Sequence, residues 1–210
     1  MTFGLIFMLL VACIGTVSAN IVSNGDFESP IANYPFTTYY AGNTFGSWHV
    51  DSGSIDLIHD YWQAYAGDQS IDLAGETPGA VSQTLATVPG KTYTLTFWMA
   101  GNPDYQSVKT LGISWNGADL PSTYTFDSTG HSHTDMGWTK VTITNLEATS
   151  ASTVLTFKDI GKDQCYGIAL DNISVDDETI SAPEFPGVAV PVAMLAAILG
   201  IVFCIRKKNP

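Results

Sequence analysis

Arginine is missing from this 210-residue chain except at position 206, close to the C-terminus. Eight Lys and Arg residues stand against 20 Asp and Glu residues, which gives a formal net charge of −12. Outside the basic tip only five lysines remain: Lys91, Lys109, Lys140, Lys158 and Lys162. Because nucleic acid is bound mainly through Lys and Arg contacts to phosphate, this balance excludes a nucleic-acid partner. It is compatible with divalent cations, neutral glycans or a salty exterior.

Cysteine is nearly as scarce. Cys13 and Cys204 lie in the two apolar ends, so Cys165 is the single cysteine of the central region, and no disulfide can form within that region. A lone cysteine is most often a small buried hydrophobic residue, and this is what we expect of Cys165. An intermolecular bridge is the alternative.

The N-terminal residues 1–19 are predicted to be a signal peptide. Residues 1–17 are small and apolar, and Val17-Ser18-Ala19 fits the small-x-small pattern read by signal peptidase, so cleavage is expected before Asn20. The protein is therefore predicted to be exported. Leu10-Val11-Ala12-Cys13 leaves an alternative open, because it resembles a lipobox that would leave Cys13 lipidated.

The C-terminal end is predicted to enter a membrane. Residues 187–205 contain no charge, and as a helix they would span about 28 Å, close to the thickness of the hydrocarbon core. The basic tip, residues 206–210, follows directly, and the positive-inside rule places it in the cytoplasm. Residues 178–186 form the linker between this helix and the central domain.

That linker carries a recognisable motif. Pro183-Glu184-Phe185, followed by Pro186-Gly187, the apolar segment and the basic cluster, resembles the PEF-CTERM sorting signal of archaeal surface proteins. The resemblance implies recognition by an archaeosortase-type enzyme, cleavage near the motif and transfer to a lipid. The protein is thus expected at the cell surface, anchored by the helix or by a lipid after processing.

Residues 20–177 are predicted to form one all-β sandwich. They are rich in Thr, Ser, Tyr, Val and Ile, with Gly, Pro, Asn or Asp every 8 to 12 residues, and they lack helical periodicity. The clearest strand is 92–99, in which Tyr93, Leu95, Phe97 and Met99 alternate with polar residues and Trp98. Nine or ten strands are expected, among them 21–28, 54–58, 70–73, 80–86, 122–126 and 168–175. Residues 29–47 show no regular period and are expected to form a long loop.

Several stretches together resemble the DUF642 and choice-of-anchor C group of extracellular domains. They are 24–28, 61–63, 67–73, 97–103, 130–138 and 170–175. The resemblance implies a galactose-binding-like jelly roll related to carbohydrate-binding modules. It also implies a structural calcium ion, held by an acid near the start of the domain, an acid in the last strand and carbonyls of a middle loop.

On this sequence the calcium candidates are Glu28, Asp171 and the neighbourhood of Asp68, with Asp26 as a fourth. Calcium takes six to eight oxygen ligands and would offset the repulsion between carboxylates drawn together from both ends of the domain. The alternative is that Asp26 and Asp171 only make hydrogen bonds in turns.

Glycan recognition requires aromatic faces beside polar groups. Trp98 lies opposite the core face of its strand, and Tyr61, Trp62, Tyr65 and Tyr105 lie in predicted loops, so these five are the candidate ligand-binding residues. Each of them has the alternative of being a packed residue with a satisfied polar tip.

Catalysis is not predicted. Asp51, Asp56, Asp60 and Asp72 could supply the paired carboxylates of a glycosidase, but nothing in the sequence sets their separation. His131, His133 and Asp135 could form a metal or catalytic cluster, and a polar loop is the favoured interpretation. No nucleophile elbow, HExxH motif or phosphate loop is present.

The sequence therefore predicts a non-catalytic surface module that binds polysaccharide or envelope glycan. The alternative is a structural or adhesive envelope protein that acts through protein contacts and in which the aromatic residues are merely packed. Asn172-Ile173-Ser174 is also a glycosylation sequon. Its use is left open, because burial in the last strand would prevent modification.

Overall fold

Residues 20–178, the part of the chain described by the computed structural model, form a sandwich of two antiparallel β-sheets and contain no helix. The predicted all-β class is confirmed. The strands are β1 (Phe36–Tyr40), β2 (Thr44–Phe45), β3 (Trp48–Ser52), β4 (Ser54–His59), β5 (Gln69–Asp72), β6 (Ala80–Ala86), β7 (Thr92–Gly101), β8 (Val108–Trp115), β9 (Ala118–Asp119), β10 (Tyr124–Asp127), β11 (Thr139–Glu147), β12 (Ser152–Asp159) and β13 (Ile168–Asp177).

The two sheets are built from strands that are far apart in the chain. The first sheet has the order β1-β4-β5-β13-β7-β11, and the second has the order β10-β8-β12-β6-β3-β2, with β9 beside β8. From β6 to β8, and again from β10 to β13, the chain changes sheet at every step. Such crossing is typical of a jelly roll, and it inserts the last strand, β13, between β5 and β7.

Strand β7 shows why the sequence pattern works. Tyr93, Leu95, Phe97 and Met99 are buried, whereas the residues that alternate with them, including Trp98, are half-buried. Successive side chains of a strand point to opposite faces, so this alternation places one face of β7 in the core. The orientation predicted for Trp98 is confirmed.

The core lies between the two sheets. The Phe97 ring of the first sheet meets Phe157 of the second edge-on, with centroids 5.3 Å apart, and Trp48 lies 6.2 Å beyond Phe157. Phe27 packs against Trp48 at 5.6 Å from the segment before β1. Aromatic contacts therefore join both sheets and the N-terminal segment in a single core.

The predicted strand at residues 21–28 is wrong, although the segment does lie beside a strand. The segment runs beside β13, because the Ile21 amide donates to the Val175 carbonyl (2.9 Å) and the Ile173 amide donates to the Gly25 carbonyl (2.8 Å). Asn24 and Phe27, however, have φ angles of 55° and 57°, in the left-handed region that interrupts an extended strand.

The expectation of an irregular loop over residues 29–47 is also wrong. Residues 36–40 form β1, the edge strand that pairs with β4 along its full length, and residues 44–45 form the short β2. The Phe-Thr-Thr-Tyr-Tyr sequence of β1 consists of residues that favour strands. Its pattern was missed because both faces of β1 carry aromatic side chains, which hides the alternation.

The predicted signal peptide, sorting motif, apolar segment and basic tip lie outside the described residues. Within residues 20–178, no helix is long and apolar enough to span a membrane.

Candidate functional site

A cleft of about 470 Å³ opens on the outer face of the first sheet. Thr38, Asp56 and Asp72 are lined up across β1, β4 and β5, since Thr38 pairs with Asp56 and Asp56 pairs with Asp72. Directly paired residues of antiparallel strands project from the same face, so all three side chains point away from the core. Phe36, Tyr61 and Tyr166 also line the cleft, together with the polar groups of Glu76, Asn102 and Asp104.

Asp72 lies at the floor of the cleft and is almost completely buried. Its carboxylate accepts hydrogen bonds from the Asn102 side-chain amide (2.8 Å) and from the backbone amides of Ala74 (2.9 Å) and Gly167 (3.0 Å). Burial raises the pKa of Asp72 to about 8, and the neighbouring carboxylates of Asp56 and Asp159 act in the same direction.

Gly167 allows the chain to pass close to this floor. A Cβ atom at that position would lie 2.5 Å from Asp72 Oδ1 and 2.6 Å from Asp159 Oδ2. Both contacts are shorter than atoms can approach without moving, and both carboxylates are held by hydrogen bonds to backbone amides. Glycine is therefore required at this position for the floor to form.

Asp56 lies beside Asp72 and is also buried. Its Oδ1 accepts a hydrogen bond from the Thr38 hydroxyl at 2.6 Å. Burial raises the pKa of Asp56, and this effect outweighs the opposing effect of the Thr38 hydrogen bond.

One carboxylate ties three loops together at the rim of the cleft. The Tyr61 hydroxyl donates to Asp104 Oδ2, and His133 Nε2 lies against Asp104 Oδ1, both at 2.6 Å. The Tyr61 and His133 rings are 4.6 Å apart. The hydrogen bond to Asp104 is the main cause that raises the pKa of Tyr61 to about 12. Tyr61 is thus held as a neutral phenol with its ring at the cleft entrance.

The two histidines considered as a cluster have separate environments. His131 Nδ1 lies 3.3 Å from the Asp135 carbonyl oxygen, and the His131 ring packs against Phe126 at 5.2 Å. His133 instead joins Asp104. Within residues 20–178, no group of three or more His, Cys, Asp and Glu side chains is placed to share a metal ion.

Two of the five predicted ligand-binding aromatics line the cleft. Tyr61 stands at its rim, where its ring also meets Phe36 edge-on at 5.8 Å. Trp62 is only 4% exposed, and its indole nitrogen donates to the Ser70 hydroxyl at 2.9 Å. Tyr61 therefore lines the cleft at its rim, whereas Trp62 forms part of the supporting floor.

Tyr65 and Trp98 form a pair outside the residues that line the cleft. Their rings are stacked with centroids 3.8 Å apart and an interplanar angle of 15°. Tyr65 thus covers the face of the Trp98 ring that points away from the core. Tyr65, which lies in a loop, is the exposed member of the pair.

Tyr105 adjoins the cleft through Tyr166. Their rings stack at 5.6 Å, and the Lys109 ammonium lies behind them, 5.2 Å from the Tyr105 centroid and 6.0 Å from that of Tyr166. Lys109 is only 1% exposed, and its ammonium donates to the Tyr105 carbonyl (2.8 Å) and to Asp163 (3.1 Å). We call the stacked rings of Tyr105 and Tyr166 the aromatic wall, and the buried Lys109 ammonium supports this wall from behind.

Cys165 is exposed, so the prediction of a buried cysteine is wrong. It lies in the turn before β13 with a φ angle of 64°, and its thiol is 3.4 Å from the Glu76 carbonyl oxygen at the edge of the cleft. The left-handed backbone at this position turns the side chain away from the core.

The two principal calcium candidates converge on one loop. Glu28 Oε1 accepts hydrogen bonds from the amides of Asp68 and Gln69, both at 2.9 Å. Asp171 Oδ2 accepts hydrogen bonds from the amides of Tyr65 (2.8 Å) and Ala66 (3.0 Å). Burial raises the pKa of Asp171 to about 7, and the Glu28 charge contributes in the same direction. The structure therefore brings these two acids together.

The side chains of the other two calcium candidates, Asp26 and Asp68, do not join this arrangement. Asp26 and Asp68 are exposed, and the hydrogen bond that links Asp68 to Glu28 uses the Asp68 backbone amide. Gly67 packs directly against Glu28, because a Cβ there would be 2.2 Å from Glu28 Oε1, and its φ angle of 65° also favours glycine.

The predicted sequon is accessible. Asn172 is exposed and has a φ angle of 49°, at the point where the pairing of β13 with β7 shifts register between Asp171 and Ser174. Burial therefore does not prevent modification of Asn172.

Eleven of the thirteen residues that line the cleft were not among the predicted ligand-binding residues, and they include Phe36, Glu76, Asn102, Asp104 and Tyr166. Asn102 could have been found, since it belongs to one of the stretches that carry the family resemblance. Phe36 was hidden in the supposed loop. Tyr166 and Glu76 are far apart in the chain, and they line the same cleft because of the order of the strands, which no local sequence pattern predicts.

This fold and cleft place the protein in the class of two-sheet β-sandwich domains that includes carbohydrate-binding modules. The chain belongs to the family described as Protein of unknown function (DUF642), which it matches over residues 20–176. TmCBM61, solved in complex with beta-1,4-galactotriose, has a similar fold, with a TM-score of 0.50 and 18% identity over 77% of this chain and 100% of that chain. An arabinose-bound MgGH51 α-L-arabinofuranosidase matches with a TM-score of 0.52 and 14% identity over 77% of this chain and 27% of that chain. At these identities the similarity shows a common fold.

A relative in sequence is halomucin of Haloquadratum walsbyi, which is 35% identical over 175 residues. The matched region covers 79% of this chain, and the chain spans only 2% of the length of halomucin.

Proposed function

We propose that residues 20–178 form a non-catalytic module that binds polysaccharide or envelope glycan in the cleft of the first sheet. The observation that carries this proposal is the combination of the rings of Phe36, Tyr61 and Tyr166 with the acceptor groups of Asp56 and Asn102 in one cleft. A sugar ring has apolar C–H faces and a rim of hydroxyls, and a cleft with aromatic walls and a few polar groups suits both.

A binding role is favoured over hydrolysis by the placement of the acids. A glycosidase needs two carboxylates on opposite sides of the scissile bond. Asp56 and Asp72 are neighbours on one sheet face, Asp51 accepts a hydrogen bond from Ser82 of the second sheet, and Asp60 lies beside His59 at the end of β4. This arrangement does not provide a facing pair among the four acids considered.

We further propose that calcium is held by Glu28 and Asp171, with oxygen atoms of the loop between them. The fit rests on two carboxylates that meet at the same loop, one of them fully buried, while no Lys or Arg within residues 20–178 forms an ion pair with either acid. A bound cation would stabilise both charges and tie the start of the domain to its last strand.

Export and surface display are the proposed setting. The apolar N-terminus, the PEF motif and the relationship to halomucin support this setting, with the C-terminal segment as a membrane anchor or as a signal for an archaeosortase-type enzyme.

The alternative of an adhesive envelope protein rests on a separate surface. Ile31 and Tyr34, just before edge strand β1, are 79% and 74% exposed, more than the other large hydrophobic residues in the described part of the chain. Neither lines the cleft.

The test is binding of the purified full chain to a panel of neutral and acidic polysaccharides, including β-1,4-galactan, with Tyr166→Ala as the cleft variant and Tyr34→Ala as the control. We expect Tyr166→Ala to weaken binding at least about tenfold, because an aromatic anchor is lost, and Tyr34→Ala to leave it unchanged. Failure of the folded protein to bind any polysaccharide would refute the proposal. Self-association that depends on Tyr34 would then favour the adhesive role.

A further inference from the structure

The cleft carries negative charge without a compensating cation. Four of its lining residues are acids, namely Asp56, Asp72, Glu76 and Asp104, and none is Lys or Arg. Because burial raises the pKa of Asp72 to about 8, Asp72 keeps its proton near neutral pH, and the exposed Glu76 and Asp104 carry the charge at the cleft surface. His133 reaches the rim, but its Nε2 is used in the contact with Asp104. A ligand in this cleft therefore contacts negatively charged hydrogen-bond acceptors and no Lys or Arg side chain.

The cation behind the aromatic wall cannot serve a ligand. Lys109 is sealed beneath Tyr105 and Tyr166, and its ammonium is already bound to a backbone carbonyl and to Asp163. It supports the wall while leaving the charge of the cleft surface unchanged.

Two of the cleft acids, Asp56 and Glu76, each have one carboxylate oxygen that can accept a hydrogen bond from a ligand hydroxyl. Asp56 uses Oδ1 for the Thr38 hydroxyl, and Glu76 uses Oε1 for the Tyr40 hydroxyl at 2.8 Å. Within residues 20–178, the second oxygen of each of these carboxylates accepts no hydrogen bond from the protein. A sugar hydroxyl can donate to such an oxygen, whereas an ionised carboxylate or sulfate is an acceptor only and carries a like charge.

We infer that the cleft recognises uncharged sugar residues through their hydroxyls and discriminates against glycans that carry carboxylate or sulfate groups. This inference rests on the proposed glycan-binding function and names the class of glycan. Discrimination arises because the approach of an anion to these acids is unfavourable and gains no cationic partner.

The test compares one polymer in two charge states. The neutral polysaccharide that binds best to the full chain is oxidised at C6, which turns primary hydroxyls into carboxylates, and part of that product is converted to its methyl ester. We expect the oxidised polymer to bind at least about tenfold more weakly at low salt, with recovery on esterification and partial recovery at high salt.

A variant separates the charge effect from the loss of the C6 hydroxyl. Glu76 is exposed at the cleft, so Glu76→Gln removes one charge without disturbing the core, and exposed Glu147, outside the cleft, provides the matched Glu147→Gln control. We expect Glu76→Gln to reduce the penalty for the oxidised polymer and Glu147→Gln to leave it unchanged.

The possible outcomes are distinct. Equal or tighter binding of the oxidised polymer without added calcium, or tighter binding of polygalacturonate than of any neutral polymer, overturns the inference and leaves the glycan-binding function in place. Absence of binding to every polymer overturns the proposed function itself.

Discussion

Asp56 and Asp72 lie directly opposite each other on β4 and β5, two buried carboxylates on one face of an antiparallel pair. Like charges in such a position destabilise a sheet, and burial adds a desolvation cost. Hydrogen bonds from Thr38 to Asp56 and from Asn102 to Asp72 offset part of this cost. The pair stands at the floor of the cleft, where the proposed function would use Asp56 as an acceptor.

Stability should fall as the pH rises from about 4 to 8. The folded-state pKa of Asp72 is raised to about 8, so the folded state holds a proton that the unfolded chain has already released above its ordinary value of 3.8. The contribution of Asp72 to the free energy of unfolding is therefore fully present below pH 3.8, its unfolded-state pKa, and is lost as the pH rises through about 8, its folded-state pKa. Each such group adds a slope of at most about 1.4 kcal/mol per pH unit. Denaturant unfolding of the chelator-treated protein at several pH values measures the slope.

The Asp72→Asn variant should reduce that slope, because it removes the group that titrates. Asp135→Asn is the matched control, since Asp135 is exposed and its carboxylate makes no hydrogen bond within the described residues. A slope in Asp72→Asn equal to that of the unmodified protein would show that Asp72 stays ionised throughout.

Removal of calcium should lower the melting temperature. An ion at a hundred times its Kd contributes about 2.7 kcal/mol, which corresponds to roughly 5–10 °C for a domain of this size. Glu28→Gln should abolish the response to chelator, whereas Asp26→Asn, which changes an exposed acid, should retain it. The measurement is a thermal melt with and without chelator, and identical melts of the unmodified protein would rule the site out.

Trp98→Ala should affect stability more than glycan affinity. Trp98 is half-buried and stacked against Tyr65, so its truncation should destabilise the domain by about 1–3 kcal/mol through lost packing. Because the pair lies outside the cleft lining, the Kd for polysaccharide should change less than twofold. Loss of affinity at unchanged stability would instead locate the binding surface at Tyr65 and Trp98.

Asp163→Asn should destabilise the aromatic wall. The variant leaves the Lys109 ammonium buried without its carboxylate, and losing one partner of a fully buried pair costs about 3–5 kcal/mol. Asp163 is itself 25% exposed, so about 2–3 kcal/mol is expected here. Adding Lys109→Met should restore most of the stability in urea unfolding, and no recovery in the double variant would contradict the role of the ion pair.

Sequence reasoning succeeded where the signal is local. The alternation in β7 predicted which face of the strand is buried, and it also predicted that Trp98 points away from the core. It failed at residues 36–40, where aromatic side chains on both faces conceal a strand, and at residues 21–28, where two left-handed residues break an otherwise strand-like segment.

The sequence by itself determined the all-β class and the acidic character of the domain, since strand alternation and charge are properties of neighbouring residues and of composition. The tertiary structure alone decided which residues share the cleft. Phe36, Asp104 and Tyr166 come from distant parts of the chain and meet because β13 inserts between β5 and β7. The covering of Trp98 by Tyr65 was decided in the same way. Strand order depends on how the two sheets bury their apolar faces together, and this long-range constraint leaves no trace in a local pattern.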